Sequence, residues 1–173
     1  MDFIEILKIL IPSVLVFLTA YFLIDKFLKN EQNQRNYELR KNSLSVITPI
    51  RLRAYERLIL VLERTTPSTL ILSVAKPKIS NYELQNELLA TIRQEFGHNL
   101  SQQIYVSNEV WNYIRTAQES LIKLVNTCSI NCNPTDSASI LAEMIIKVYN
   151  DSENTPTEIA IEKLKSEVRN YFH

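Results

Sequence analysis

The sequence predicts an all-α protein: a single N-terminal transmembrane helix, a helical stalk, and a cytoplasmic bundle of five or six helices. Three observations lead there. The first is glycine: the 173 residues contain one, Gly97, where ordinary usage of about 7% would give roughly a dozen. Glycine supplies the positive-φ turns of tight hairpins and the close backbone approach of phosphate loops. Its scarcity disfavours hairpin-rich β folds, Rossmann crevices and P-loops. The second is a sixteen-residue run without a charge, Ile9 to Ile24. The third is apolar side chains recurring at helical spacing through most of the remainder.

The span is justified by length. Flanked by Phe3–Leu7 and by Phe27 and Leu28, the run extends to about 20–25 residues, which crosses a hydrocarbon core. It is apolar on every face, unlike the one-sided stripe of a core helix. A cleaved signal peptide fits less well. The segment opens with Asp2 and Glu5 instead of a basic region, and no small-x-small site follows Ile24. Lys26, Lys29, Arg35, Arg40 and Lys41 all lie just beyond the span, with only Lys8 before it. The positive-inside bias then puts the N-terminus outside and the C-terminal domain in the cytoplasm of a bacterial inner membrane.

Residues 29–47 are polar and free of helix breakers, which predicts a juxtamembrane stalk. The expected organisation is therefore an anchor over 1–28, a stalk over 29–47 and a bundle over 48–173. Thr48-Pro49 reads as an N-cap followed by proline at the first helical position, opening a helix over 49–65 with Leu52, Tyr55, Leu58 or Ile59, and Leu62 on one face. Thr66-Pro67 restarts the chain, and the apolar stretch after it fits a helical turn or a brief extended piece. Ser80-Asn81-Tyr82-Glu83 is a capping box, and its helix aligns Leu84, Leu88, Ile92 and Phe96 until Gly97 breaks or bends it. A short helix follows with Leu100 and Ile104 facing inward. Ser107 caps the next, on which Val110, Trp111, Ile114, Ala117, Leu121 and Leu124 keep the period. After the loop from Cys128 to Pro134 come Ile140, Leu141, Met144, Ile145 and Val148. Thr155-Pro156-Thr157-Glu158 then repeats the capping box before a helix bearing Ile161, Leu164, Val168 and Tyr171 or Phe172.

Formal charge sums to zero, yet Asp25 to Arg57 carries eight basic and four acidic side chains. A basic collar beside an apolar run points to a membrane surface, with Lys26, Lys29, Arg51, Arg53 and Arg57 as candidate contacts for anionic headgroups. No aromatic interleaving accompanies the arginines, so nucleic acid is not expected as a partner.

Catalytic signatures are missing: there is no Gly-x-Ser-x-Gly elbow and no His-Glu-x-x-His. Cys128 and Cys132 would need two further good ligands to hold zinc, and the only histidines are His98 and His173. No catalytic residue, metal or cofactor is assigned. The densest polar signal is the segment around Glu95, His98, Asn99, Gln102, Gln103 and Tyr105. Glu95 and His98 form the Glu-x-x-His pair of di-iron bundles, but such centres need a second pair and two more glutamates. Polar side chains capping a helix junction explain the segment more simply.

Arg51-Leu52-Arg53-Ala54-Tyr55-Glu56-Arg57-Leu58 and Glu95-Phe96-Gly97-His98-Asn99-Leu100-Ser101-Gln102-Gln103-Ile104-Tyr105, together with the N-terminal span, resemble a family of small bacterial membrane-anchored helical proteins of unknown function. The resemblance runs from the anchor to about Leu124 and implies the architecture without naming an activity. The functional expectation is a membrane-tethered, non-enzymatic module that binds a protein partner and is compatible with homo-oligomerisation. The alternatives are a metal-dependent or lipid-active enzyme using Glu95 and His98, and an anionic-lipid binder.

Overall fold

The computed structural model describes residues 3–172, and side chains from Leu10 to Tyr171. Six α-helices are present among them: α1 (Phe3–Arg64), α2 (Pro67–Val74), α3 (Asn81–His98), α4 (Asn108–Ile130), α5 (Ala138–Asn150) and α6 (Pro156–Phe172). A 3₁₀ turn, Leu100–Ile104, joins α3 to α4. The described residues contain no strand, only an isolated bridge between Ser80 and Ser137. The chain is all-α. It divides into two compact units, Met1–Thr48 and Pro49–His173.

In the first unit every described side chain from Leu10 to Ile24 is exposed. The helix over this stretch is long and apolar enough to cross a membrane. Its few hydroxyls are satisfied within the helix: Ser13 donates to the Leu10 carbonyl at 2.8 Å and Thr19 to that of Val16 at 2.9 Å. That local back-bonding is what a hydroxyl needs where no water is available. Beyond the apolar stretch the surface is held by i,i+4 ion pairs, Lys29–Asp25 at 2.7 Å and Arg35–Glu31 at 3.4 Å.

One boundary differs from expectation. Thr48-Pro49 lies inside α1, which runs on to Arg64, where the sequence suggested a fresh helix start. Proline removes one N–H, leaving the Ser45 carbonyl without its usual donor. The remaining ladder and the burial of the residues that follow outweigh that loss.

The second unit has a contiguous core. Leu58 and Leu62 of α1, Leu84, Leu88 and Ile92 of α3, Ile114 of α4, Leu141 and Ile145 of α5, and Leu164 of α6 are all essentially sealed from solvent. α4 packs against α6, α3 and α5, and α2 closes over α3 and α5. Full burial of a leucine or isoleucine is worth about 1.5–3 kcal/mol each, so these nine positions dominate the fold.

The caps explain where the helices begin. Ser80 Oγ accepts from the Glu83 N–H at 3.3 Å while the Glu83 carboxylate accepts from the Ser80 N–H at 2.8 Å, completing the capping box. The bonds its carboxylate accepts from the Ser80 N–H and from the Ser80 hydroxyl at 2.9 Å hold the exposed Glu83 carboxyl below its ordinary pKa. Thr155 and Glu158 make the second box, with bonds of 3.3 and 2.9 Å. Ser107 Oγ accepts from the Val110 N–H at 3.2 Å and opens α4.

Several side chains fall elsewhere than predicted. Leu100 and Ile104 are 57% and 73% exposed, because the segment winds as a 3₁₀ turn on the surface instead of presenting an inward face. On α5 only Leu141 and Ile145 are buried, while Ile140 and Val148 are exposed. α3 runs through Gly97 and ends one residue later, at His98, capped by Asn99.

Candidate functional site

The predicted polar cluster does not assemble. Glu95 and His98 sit in the last turn of α3, Glu95 half-buried and His98 exposed. Asn99 turns back to donate to the Glu95 backbone carbonyl at 2.9 Å, acting as a cap. Gln102 reaches only the neighbouring Ser101 hydroxyl, at 3.4 Å, and Gln103 is exposed. Tyr105 contributes its backbone carbonyl and not its phenol to what lies next to it. No group of three or more His, Cys, Asp or Glu side chains capable of holding a metal occurs among the described residues.

The polar centre of the second unit is instead built from Arg51, Tyr55, Ser107 and Glu167. Arg51 Nε donates to the Tyr105 carbonyl at 3.0 Å and Nη2 to the Tyr55 hydroxyl at 3.3 Å. The Tyr55 hydroxyl donates to Glu167 Oε1 at 2.6 Å. The Ser107 N–H donates to the same oxygen at 3.0 Å, and the Ser107 hydroxyl bonds Oε2. The Arg51 guanidinium also stacks on the Tyr171 ring, 3.7 Å from its centroid. Four otherwise separate pieces meet here: the last turns of α1, the 3₁₀ turn, the N-terminus of α4 and the end of α6.

Electrostatics lock the arrangement. Burial is the main cause pushing the Tyr55 phenol up to about 12, reinforced by the Glu167 carboxylate and opposed by Arg51. Burial also works against an ionised Glu167. The bonds from Ser107 and Tyr55, with the Arg51 charge behind them, outweigh it and hold the carboxyl below its ordinary pKa. At neutral pH the tyrosine is therefore a donor and the glutamate an acceptor, each engaged. Such a network orders elements; its groups have no free proton to give or take.

Of the candidate headgroup contacts, Arg51 is taken up in this network. Lys29 is paired with Asp25, and Lys26, Arg53 and Arg57 are exposed. Glu167 and Ser107 belong to different helices 60 residues apart, and no local spacing advertises the pair. Arg51 and Tyr55 lie four residues apart on α1, the spacing at which helical side chains meet.

A second polar clasp also escapes sequence reading. Asn81 is buried; its Nδ2 donates to the Asn133 carbonyl at 2.9 Å and its Oδ1 accepts from the Leu141 N–H at 3.2 Å. Backbone bonds Asn81–Asp136 and Ala138–Ile79, at 2.9 and 3.1 Å, complete it. The starts of α3 and α5 and the loop between α4 and α5 are tied together by one amide. Cys128, buried on α4, has its thiol pushed up by burial and secondarily by Cys132, and both cysteines are free.

The surface carries a cleft of about 180 Å³ between α3 and α4. Arg93, Phe96, Gly97, Leu100, Trp111, Ile114, Arg115 and Gln118 line it.

Compared with known proteins, residues 1–171 match the model of a family of unknown function (DUF7935). The chain belongs to this family. No curated protein and no solved structure matches it. The match covers nearly the whole chain and assigns no activity to any residue.

Proposed function

We propose that the chain is a membrane-tethered, non-enzymatic interaction module. Its α1 apolar stretch crosses a bacterial inner membrane once, with the N-terminus outside and the bundle in the cytoplasm, where it engages a protein partner. The observation carrying this reading is the exposed apolar cylinder of α1. Leu15, Val16, Phe17, Phe22 and Leu23 are each more than 60% exposed, a contiguous surface that water does not tolerate and that hydrocarbon accepts. The basic side chains just past it supply the orientation. The bundle's buried ionisable groups are consumed in internal bonds, which favours a scaffold over a reaction site. Tethering raises the local concentration of a weakly binding module, so a small interface suffices.

Topology and partnership are tested together. With Cys128 and Cys132 replaced by serine, a single cysteine at the exposed Ser152 position reports the side of the membrane. Protection from a membrane-impermeant maleimide in intact cells, and labelling after permeabilisation, is the expected result; labelling in intact cells overturns the orientation. In-cell crosslinking of the full chain, with His98→Ala and Gln102→Ala beside wild type, then tests the partner. Absence of any reproducible neighbour sinks the interaction reading.

A second reading rests on Arg53 and Arg57, both exposed on the part of α1 within the second unit: contact with anionic lipid. It requires binding to phosphatidylglycerol-containing vesicles that weakens as salt rises. Salt-indifferent binding removes it.

A further inference from the structure

Gly97 is the only glycine in the chain, and its backbone does not need one. The two left-handed positions among the described residues are filled by Lys78 (φ 63°) and Asn154 (φ 54°), whereas Gly97 has no positive φ and lies within α3. Glycine is a poorer helix former than alanine because it has more backbone freedom to lose. Close packing does not demand it either: a Cβ built at Gly97 would meet nothing within 4 Å. What the missing side chain does is leave open the cleft that Gly97 lines.

The cleft has the chemistry of a recognition pocket. Phe96 and Ile114 are buried, Trp111 forms a half-buried wall, and Leu100 offers an apolar edge to solvent. Arg93 and Arg115 stand exposed at the same cleft. Arg115 has one exposed partner, Glu119 at 3.5 Å, and Arg93 has no carboxylate within 4 Å among the described residues. At about 180 Å³ the space is below the roughly 300–1,000 Å³ typical of small-molecule sites. It suits a single large side chain anchored beside a charge, as in the buried centre of a peptide contact.

We infer that the Gly97 cleft is the docking site for a protein segment carrying an aspartate or glutamate next to a large apolar side chain. The apolar residue enters between Phe96, Leu100 and Trp111, and the carboxylate lies between Arg93 and Arg115. Binding is strengthened because arginine presents a planar fork that matches a carboxylate. This assignment rests on the interaction-module reading and names its surface.

The test uses the full chain in lipid nanodiscs against a phage-displayed library of random dodecapeptides, with empty nanodiscs as the counter-selection. The expected consensus is an acidic residue beside Phe, Leu, Ile or Trp. Gly97→Leu, which fills the cleft, should weaken a selected synthetic peptide at least tenfold without lowering the unfolding midpoint. Arg93→Gln with Arg115→Gln should weaken it similarly and flatten its salt dependence. Gly97→Ala should raise the midpoint by about 2–4 °C while reducing binding, a combination that a purely structural glycine does not give. Peptides that bind all variants equally overturn the cleft and leave an interaction module with its surface elsewhere. A consensus without acidic residues overturns the partner chemistry. No enrichment over empty nanodiscs overturns the cleft; loss of in-cell neighbours as well would take the broader reading with it.

Discussion

Leu15 and Leu23 are chemically the same as Leu58 and Leu62, and all four lie on α1. The first two are 61% and 68% exposed; the second two are 1% and 0% exposed. Local propensity cannot tell these stretches apart, since leucine favours helix in both. What differs is the environment that removes water from them. Around Leu58 and Leu62 the hydrophobic core of the second unit does so, and their hydrophobic contribution is internal to the chain. Around Leu15 and Leu23 none of the described residues does, and the helix there is long and apolar enough to cross a membrane. One helix thus has two kinds of apolar surface, one covered within the fold and one left uncovered by it.

The largest effect separating them comes from charge. Val16→Arg together with Phe17→Arg places two guanidiniums at the middle of the apolar stretch, at a cost of about 2.5–3.5 kcal/mol each on insertion scales. Carbonate extraction of cell membranes should move the variant from pellet to supernatant, with the helical content of the bundle retained. Retention in the pellet would break the comparison, because it would mean the anchor resides elsewhere.

The converse change is Leu62→Ala. Truncating a fully buried leucine costs about 2–5 kcal/mol, the spread reflecting how far neighbours collapse into the cavity. Denaturant unfolding of the full chain in detergent micelles should show that loss in the bundle transition. Leu15→Ala, removing the same atoms from an exposed position, should leave that transition within about 0.5 kcal/mol. Equal effects would dissolve the distinction between the two stretches.

Polar groups sharpen it further. Tyr55→Phe deletes the donor to Glu167 and one acceptor for Arg51, and should cost about 1–2 kcal/mol at neutral pH. It also changes the alkaline limb. Below pH 10 Tyr55 is protonated in both states and adds no pH dependence. Between pH 10 and about 12 the unfolded chain loses the proton while the folded chain keeps it, so stability falls as pH rises. The fall amounts to about 2–3 kcal/mol across that interval. Tyr55→Phe should remove this contribution, which pH-dependent unfolding monitored by far-UV circular dichroism measures. Glu167 acts at the other end: its lowered pKa gives stability present above the ordinary carboxylate range and lost as pH falls through the folded value.

What was legible in the residues follows the same division between local and distant causes. The long apolar helix at the start of the chain, Ser80, Ser107 and Thr155 as caps, and the buried faces of α3 and α4 depend on neighbours within four residues, so spacing reveals them. Leu100 and Ile104 were misassigned because a 3₁₀ turn rotates side chains every three residues instead of 3.6, and a five-residue piece holds too little periodicity to tell. Pro49 resembles a helix start because proline favours that position, yet burial of Tyr55, Leu58 and Leu62 carries the helix across it. Glu95 and His98 looked like a site because they share a helix turn. Glu167, the actual partner of the first helix, lies 112 residues from Tyr55, and only the packing of α6 brings it there. Gly97 was noticed for its rarity; its place beside Trp111 and Arg115 depends on how α3 meets α4.

The smallest effect is the most discriminating about charge. Lys29–Asp25 is as close as any ion pair in the described structure, at 2.7 Å, but its side chains are 72% and 46% exposed. Glu167 is held at similar distances, by the Tyr55 hydroxyl at 2.6 Å and the Ser107 N–H at 3.0 Å, but in a half-buried site beside a buried tyrosine. If distance governed the energetics, Asp25→Asn would rival Glu167→Gln. Solvent screening and the entropy of holding a long lysine argue otherwise, and exposed i,i+4 pairs contribute about 0.3–0.5 kcal/mol. Asp25→Asn should therefore leave the unfolding midpoint within about 2 °C of wild type, whereas Glu167→Gln should lower it clearly and remove the Glu167 share of the acid-limb dependence. A matching loss from both variants would show that proximity, and not the exclusion of water, sets the worth of charge in this chain.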